Sequence, residues 1–284
     1  MGTISWVKGH GTENDFVLLH DPDGTMRLDE GLVRELCHRR RGVGADGVLR
    51  VVRSAALDDG RPYADEAEWF MDFRNADGST GEMCGNGVRV FAHYLRVHGL
   101  VDPSVELPVG TRAGVKRVRF EDDSQLSVDM GRPRLPGPSA VMVSAAGRSW
   151  PAVPVDMGNP HAVAFVDDLA DPGPLVEQPT WSPSEAFPKG VNIEFAVWRG
   201  SRHLAMRVHE RGVGETRSCG TGACSVAVVA AAVDHLADQQ VNLPAGEAYR
   251  IDVPGGSLTV SFRADQHVVL TGPAVLTARG EIDL

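Results

Sequence analysis

The pattern of apolar and polar positions predicts a chain dominated by strands. Apolar runs at 16–19 and 48–52 are typical of buried strands. Shorter stretches that alternate between apolar and polar residues predict antiparallel strands in the first half of the chain, at 105–109, 115–120 and 126–130. Further strands are predicted at 6–8, 68–73, 153–157, 162–166, 191–198, 202–209, 249–253, 258–262 and 268–270. The first of these is expected to break at Gly9.

Three segments have helical periodicity instead. Asp29 is a suitable N-cap residue for a short helix around Leu32. A second helix carries its apolar residues on one stripe from Val88 to Leu95 and is expected to end at Gly99. The segment Ala223–Leu236 is apolar on nearly every face, which predicts a helix buried all round.

The second and third helices each follow the same short motif. Cys-Gly-x-Gly occurs at 84–87 and again at 219–222, about half the chain apart. Asn75 and Glu210 precede their cysteines by the same number of positions, and both lie in glycine-containing turns. This repeat predicts an α/β (α+β) fold of two pseudo-symmetric domains from a duplicated unit. Each domain is expected to be a mixed or antiparallel sheet cradling a central helix, with a ligand cleft between the domains.

Composition narrows the classes of partner. The net charge of −10 argues against nucleic acid and anionic membranes. The longest apolar run, 226–233, is too short to span a bilayer, and the first residues have no signal-peptide pattern. No Cys-x-x-Cys or Cys-x-x-His pair suggests a metal site, and four cysteines in 284 residues do not form a disulfide framework. We therefore expect a cytoplasmic protein with a small-molecule partner and no metal or other cofactor.

The repeated motif suggests paired thiol chemistry. Glycines at a helix start leave backbone N–H groups open to an anion, and the helix dipole favours negative charge there by roughly 0.3–1 kcal/mol. The same field activates a cysteine. Two such thiols, facing one another across an amino acid, could remove the α-proton from one face and return a proton to the other. The expected result is inversion at the α-carbon without a cofactor.

A family resemblance indicates which substrate this chemistry would act on. Six motifs spread over most of the chain resemble, in order, those of diaminopimelate epimerase: Lys8–Phe16, Arg41–Gly47, Phe73–Gly78, Met83–Gly87, Gly158–His161 and Glu210–Gly222. The resemblance implies a pyridoxal-independent isomerase that interconverts LL- and meso-diaminopimelate, on the path to lysine and peptidoglycan. It also implies a homodimer and a last strand that returns to the first domain. The domains would then be 1–121 with 272–284, and 122–271.

The resemblance also implies roles for individual residues. Cys84 and Cys219 match the two bases, and His161 and Glu210 match residues that assist the reacting centre. Matches to substrate-binding positions are Asn14, Asn75, Gly85, Asn86, Asn159, Asn192, Glu210, Arg211, Gly220 and Thr221. One departure concerns Gly47, where some family members carry a glutamine that touches the substrate. Glycine cannot make that contact, so recognition of the distal end would depend on backbone or water.

Other interpretations remain open. Cys84 and Cys219 could be structural thiols or a disulfide, while Cys37 and Cys224 are expected in the core. A related proline or hydroxyproline racemase would typically have Cys-Gly-His-Gly in its first motif, where this chain has asparagine. A non-catalytic amino-acid-binding protein would not need both cysteines.

Three further residues or segments have simpler interpretations than catalysis. Asp46 is expected to anchor a loop, and 39–41 to be solvated charge at a helix end. The Gly42-x-Gly44 loop is not followed by the helix start that a dinucleotide site requires.

Overall fold

The chain folds into two compact units of similar size. The structure, a computed structural model, describes residues 3–121, 124–135, 141–234 and 243–283. One unit comprises Met1–Val128 and Gly272–Leu284, and the other comprises Asp129–Thr271. Among the described residues, each unit is built mainly of strands.

The first unit contains a mixed sheet. Its strands are β1 (Thr3–Gly11), β2 (Asn14–His20), β3 (Gly47–Arg53), β4 (Trp69–Asn75), β5 (Leu107–Thr111), β6 (Gly114–Phe120), β7 (Gln125–Gly131, which carries the chain into the second unit) and β18 (Val275–Asp283). Pairing places them in the order β18-β1-β2-β3-β4-β5-β6-β7. The β2–β3 and β4–β5 pairs are parallel and the other pairs are antiparallel.

The second unit repeats this arrangement. Its strands are β8 (Val141–Ala145), β9 (Arg148–Asp156), β10 (Pro160–Phe165), β11 (Thr180–Ser182), β12 (Asn192–Gly200), β13 (His203–Glu210), β14 (Gly214–Thr216), β15 (Ala248–Val253), β16 (Gly256–Phe262) and β17 (Val268–Pro273). The main order is β8-β9-β10-β12-β13-β15-β16-β17, with β10–β12 and β13–β15 parallel. The short strands β11 and β14 pair with β8 and β13.

Strand directions establish the duplication. In both sheets the successive pairs are antiparallel, antiparallel, parallel, antiparallel, parallel, antiparallel and antiparallel. The sheets differ in the origin of the first strand, since β8 directly precedes β9 whereas β18 comes from the far end of the sequence. The predicted fold class, a duplicated α/β (α+β) unit with a mixed sheet around a central helix, is confirmed.

α-Helices make three of the four crossovers that the parallel strand pairs require, and the β10–β12 crossover contains β11 and a 3₁₀ segment instead. α1 (Glu30–Cys37) lies between β2 and β3, and its predicted N-cap Asp29 accepts the Leu32 N–H at 3.0 Å. α2 (Gly85–Val97) connects β4 to β5, and α3 (Gly220–Asp234) connects β13 to β15. Short 3₁₀ segments occur at Ser54–Ala56, Arg61–Tyr63 and Ser184–Ala186.

The predicted helix boundaries hold well where the structure describes them. α2 is followed by Gly99 with φ +66°, as expected for a glycine after a helix. α3 is buried on all sides from Ala223 to Ala231, and then becomes more exposed. One prediction falls partly on positions that are not described, namely the last two residues of the helix predicted to Leu236.

The first strand was predicted wrongly. β1 continues through Gly9 to Gly11, because its partners β2 and β18 hold it in an extended form. A β-carbon at Gly9 would lie 2.8 Å from the Val275 carbonyl oxygen, so glycine allows the close approach of β18 there. Partner strands rather than local pattern decide where this strand ends.

Candidate active site

The first cysteine caps the first turn of α2. Cys84 has extended dihedral angles (φ −138°, ψ 119°), and its Sγ accepts the Gly87 N–H at 3.4 Å. A thiol is an unusual N-cap. The thiol is half-buried. Gly85 and Asn86 form the first turn, where the backbone N–H groups have no acceptor within the helix and favour an anion.

Two asparagines surround this thiol. Cys84 Sγ lies 3.5 Å from Asn14 Oδ1, and Asn86 Nδ2 donates to the same oxygen at 3.3 Å. The Asn86 oxygen accepts from the buried Arg89 guanidinium at 2.8 Å, and Arg89 also donates to the Gly85 carbonyl at 3.3 Å. The polar groups beside Cys84 are therefore held in place from the helix side.

An ion cluster holds Asn14 from the other side. Asp46 Oδ2 accepts the Asn14 amide at 2.8 Å, and Asp46 Oδ1 accepts from Arg39 at 2.7 Å. Arg39 and Lys8 both pair with Asp15. Burial alone would raise the pKa of Asp15, but hydrogen bonds from Arg39 and Lys8 outweigh it and hold that pKa below its usual value. Asp46 is thus a loop anchor, as expected.

Arg39 is exposed at the helix end, as predicted for 39–41, and it also forms ion pairs. Its guanidinium bridges Asp15 and Asp46 instead of only ending α1. The bridge forms because the loop after α1 turns back so that Ala45 N–H bonds to the Cys37 carbonyl and Asp46 N–H to the Asp15 carbonyl. The sequence pattern of three arginines gave no indication of that return.

Asn75 and Gly47 lie opposite one another in the β3–β4 pair. Asn75 is the last residue of β4, and its amide donates to Ser79 Oγ at 3.0 Å. A β-carbon at Gly47 would lie 2.5 Å from the Arg74 carbonyl oxygen and 2.9 Å from the Phe73 ring. The backbone arrangement here therefore requires glycine, which gives a structural reason for the absence of a side chain.

The second cysteine occupies the equivalent position before α3 but is buried. Cys219 is 6% exposed, and its Sγ accepts the Gly222 N–H at 3.3 Å. Burial raises the pKa of its thiol well above the usual value, and the nearby carboxyl groups of Glu210 and Glu194 act in the same direction. Gly220 and Thr221 form the first turn of α3, in the same way as Gly85 and Asn86 in α2.

A chain of hydrogen bonds connects the buried thiol to His161. Thr221 Oγ1 lies 3.4 Å from Cys219 Sγ and accepts the Asn159 amide at 3.4 Å. Asn159 Oδ1 lies 2.9 Å from His161 Nε2, and His161 Nδ1 lies 2.6 Å from Glu194 Oε1. Four of the predicted site residues of this unit are therefore brought together, and Glu194 joins them.

The remaining predicted residues of the second unit lie around the end of β13. Glu210 is its last residue and accepts the Thr216 hydroxyl, so Glu210 and Asn75 end equivalent strands. Asn192 begins β12, where its Oδ1 accepts the Arg211 backbone N–H at 2.9 Å and its amide donates to the Pro160 carbonyl at 3.0 Å. The Arg211 side chain is exposed and donates to the Lys189 carbonyl at 3.2 Å.

Comparison with known sequences decides the family. The model of the diaminopimelate epimerase family matches residues 6–136 and 153–277. The diaminopimelate epimerase of Streptomyces coelicolor is 55% identical over 280 residues, covering 99% of this chain and 96% of its own. The chain belongs to the diaminopimelate epimerase family. It is therefore an isomerase, and the family predicted from the six motifs is confirmed.

Other diaminopimelate epimerases match over almost their full length. The protein of Thermobifida fusca is 47% identical, covering 99% of this chain and 98% of its own, and that of Corynebacterium glutamicum strain ATCC 13032 is 44% identical, covering 99% of each. Solved structures extend the likeness in fold. A PhzF-family phenazine biosynthesis protein of Bacillus anthracis has a TM-score of 0.71 at 16% identity over 100% of both chains. A probable proline racemase of Agrobacterium radiobacter has a TM-score of 0.70 at 15% identity, covering 99% of this chain and 93% of its own.

Further properties of this family member concern metals, membranes and cysteines. Within the described ranges, no cluster of three or more His, Cys, Asp or Glu residues is arranged to hold a metal ion. No described helix is both long and apolar enough to cross a bilayer. None of the four cysteines forms a disulfide, and Cys37 and Cys224 are buried as expected.

Sequence reasoning missed Glu194 and Arg89 as site residues. Both are fully buried yet ionisable, and each contacts a predicted site residue. Glu194 lies in the middle of an apolar strand pattern, where one acidic residue normally indicates a solvent-facing position. Its hydrogen bond to His161 on the neighbouring strand β10, together with its complete burial, shows that it faces inward instead.

Proposed function

We propose that this family member interconverts LL- and meso-diaminopimelate by two-base proton transfer at the α-carbon. The observation that carries the proposal is the placement of Cys84 and Cys219 at equivalent helix starts of a duplicated unit, in a chain 55% identical to a diaminopimelate epimerase. Each thiol accepts an N–H group from its own first turn, at Gly87 and Gly222. In this proposal the two compact units serve as the domains of the enzyme.

The proposed reaction needs one thiolate and one thiol. The thiolate of one cysteine removes the α-proton as the C–H bond breaks, and the electron pair spreads into the α-carboxylate. The thiol of the other cysteine then gives its proton to the opposite face of the same carbon. Inversion leaves the protonation states of the cysteines exchanged, so the reverse reaction uses them in the opposite roles. His161 and Glu210 assist proton transfer beside the reacting centre.

The negative charge that spreads into the α-carboxylate during the reaction requires hydrogen-bond donors. We assign the first-turn N–H groups of α2 (Gly85, Asn86) and α3 (Gly220, Thr221) to the α-carboxylate, since helix starts favour anions. Well-placed donors of this kind contribute about 3–4 kcal/mol to transition-state stabilisation.

A diamino dicarboxylic substrate also needs acceptors for its ammonium groups and a cation for its distal carboxylate. Side-chain oxygens and the Arg211 guanidinium supply both. We assign the rest of the substrate to Asn14, Asn75, Asn159, Asn192, Glu210 and Arg211. With Gly47 unable to provide a side chain, the distal end would meet backbone groups or water at that position.

The wider setting follows from the family name. We propose that the enzyme acts in the cytoplasm on the route to lysine and peptidoglycan, without a cofactor, and that it is a homodimer.

The proposal can be tested by isotope exchange. Reduced enzyme is incubated with LL-diaminopimelate in D₂O, and α-deuterium incorporation and stereochemistry are followed together by NMR and chiral chromatography. We expect deuterium to appear at the α-carbon as the meso isomer forms, because each turnover returns a solvent-derived proton.

Proline and hydroxyproline serve as competing substrates in the same assay, since proline racemase shares the fold. Exchange of proline without exchange of diaminopimelate would contradict the proposal and favour the racemase alternative. Tight binding of diaminopimelate without any exchange would favour the binding-protein alternative.

A further inference from the structure

A buried acid–imidazole pair lies beneath the start of α3. Glu194 and His161 are both 0% exposed, and Glu194 Oε1 lies 2.6 Å from His161 Nδ1. Within the described part of the chain, the second Glu194 oxygen, Oε2, has no hydrogen-bond partner. Burial raises the pKa of Glu194, and the contact with His161 opposes that rise only in part. A buried carboxyl group with one unsatisfied oxygen costs stability, so packing alone does not account for it.

The same pair is linked to the Cys219 thiol in two ways. The chain of hydrogen bonds through Asn159 and Thr221 joins His161 Nε2 to the Cys219 Sγ. A β-carbon built at Gly222 would lie 2.7 Å from Glu194 Oε1 and 3.3 Å from Cys219 Sγ, so the carboxyl group and the thiol border the same small space. Glu194 is thus adjacent to the Cys219 thiol, and it is also the last residue of the hydrogen-bond chain that begins at that thiol.

The first unit shows that the fold does not need charge at this position. The β10–β12 register pairs His161 with Asn192, and the β2–β3 register pairs Phe16 with Gly47. Glu194 lies two residues after Asn192, and Leu49 lies two residues after Gly47, so Glu194 and Leu49 occupy equivalent positions. A β-carbon at Gly87 would meet Leu49 at 3.4 Å and Phe16 at 3.6 Å, the apolar counterparts of the ionisable pair.

We propose that Glu194 is a positioning residue for His161, fixing the ring through Nδ1 so that Nε2–H is held as a donor in the chain that leads to Cys219. The inference rests on the proposed epimerase function. Asn159 Oδ1 accepts from Nε2, so one ring proton resides there, and the second shared proton lies between Nδ1 and Glu194 Oε1. A carboxyl group that is hydrogen-bonded to one ring nitrogen determines whether the other ring nitrogen carries a proton.

Two substitutions separate this role from packing. Glu194→Gln keeps the shape but removes the acid, whereas Glu194→Asp keeps the acid but shortens the side chain. We expect Glu194→Gln to lower kcat about 10–100-fold while KM stays within about twofold, and Glu194→Asp to retain more activity than Glu194→Gln. If packing were the role, the order would reverse, because glutamine preserves the volume. Exposed Glu185→Gln is the matched control and keeps wild-type activity.

A spectroscopic measurement tests the pair without turnover. A proton shared in a 2.6 Å contact between fully buried groups should give a far-downfield proton NMR resonance. We expect it in the wild-type and Glu185→Gln proteins, and its loss in Glu194→Gln and His161→Asn. Its absence from the folded wild type, or its persistence in Glu194→Gln, would overturn the assignment. Wild-type enzyme that shows the resonance but does not epimerise diaminopimelate would refute the proposed function alone.

Discussion

The two cysteines occupy equivalent places in two copies of one unit, and their surroundings have diverged. Cys84 is half-buried beside the amide oxygen of Asn14, above the apolar pair Phe16 and Leu49. Cys219 is 6% exposed, above the ionisable pair that takes the place of those two residues. The two copies of the duplicated unit therefore share the same thiol–helix geometry, whereas the side chains beneath the two helix starts differ.

The two thiols differ in the charged groups that lie near them. In the first unit the charged groups are those of Lys8, Asp15, Arg39 and Asp46, and they reach Cys84 through Asn14. In the second unit carboxyl groups lie close enough to Cys219 to raise the pKa of its thiol, together with burial. The two thiols, which would exchange roles in the proposed reaction, thus lie in unlike environments.

The largest expected effect comes from removing either thiol. We expect Cys84→Ala and Cys219→Ala each to lower kcat for epimerisation by about 10²–10⁴-fold, the range for a lost proton-transfer group. The measurement is steady-state turnover of both stereoisomers by chiral chromatography. Cys37→Ala is the matched control, since Cys37 is a buried cysteine outside the site, and it keeps wild-type turnover. A fully active Cys84→Ala enzyme would rule out the two-base scheme.

A smaller effect separates the two glycines that end the motifs. A β-carbon at Gly222 would lie 2.7 Å from Glu194 Oε1, whereas at Gly87 the nearest atoms are at an ordinary 3.4 Å. We expect Gly222→Ala to lower the free energy of unfolding by about 1–3 kcal/mol through overpacking. Gly87→Ala should raise it, by at most about 1 kcal/mol, because alanine favours helix. Urea titration of both variants measures the contrast, and equal effects would show that the two sites pack alike.

A further effect on stability is expected at alkaline pH. The raised pKa of Cys219 means that the folded protein retains a proton which the unfolded chain releases above about pH 8.5. The contribution of this thiol to the free energy of unfolding is therefore fully present below that pH. Above it, the free energy of unfolding falls by up to about 1.4 kcal/mol for each pH unit until the folded thiol ionises. Cys37 adds a similar decline because burial raises the pKa of its thiol to about 12.

Urea titrations across this pH range should show a flatter decline for Cys219→Ala than for Cys84→Ala, because Cys84 is only half-buried. Parallel curves for the two variants would contradict the difference in burial.

Local chemistry made much of the fold predictable. Asp29 marks the start of α1, and Gly99 the end of α2, because capping depends on adjacent residues. The two motifs predicted the helices that begin at Gly85 and Gly220, and with them the duplication.

What could not be predicted depends on contacts between distant segments. Gly9 suggests a break in the strand until β18 is placed beside it, and the ion pair between Arg39 and Asp46 depends on the path of the loop after α1. Glu194 is the clearest case, since its alternation within β12 gives the face of the sheet but not what lies opposite. Its partner His161 belongs to β10, and the two side chains meet only when β10 and β12 pair side by side.

The origin of β18 has a consequence for how the protein is made. On the ribosome, β1 emerges first but lacks one neighbour until residues 275–283 appear, after the whole of Asp129–Thr271 has been synthesised. The later unit contains all of its own main strands in one continuous segment, so its sheet needs no strand from the far end of the sequence. The earlier unit must wait with an open edge on β1, a position exposed to mispairing and to chaperones.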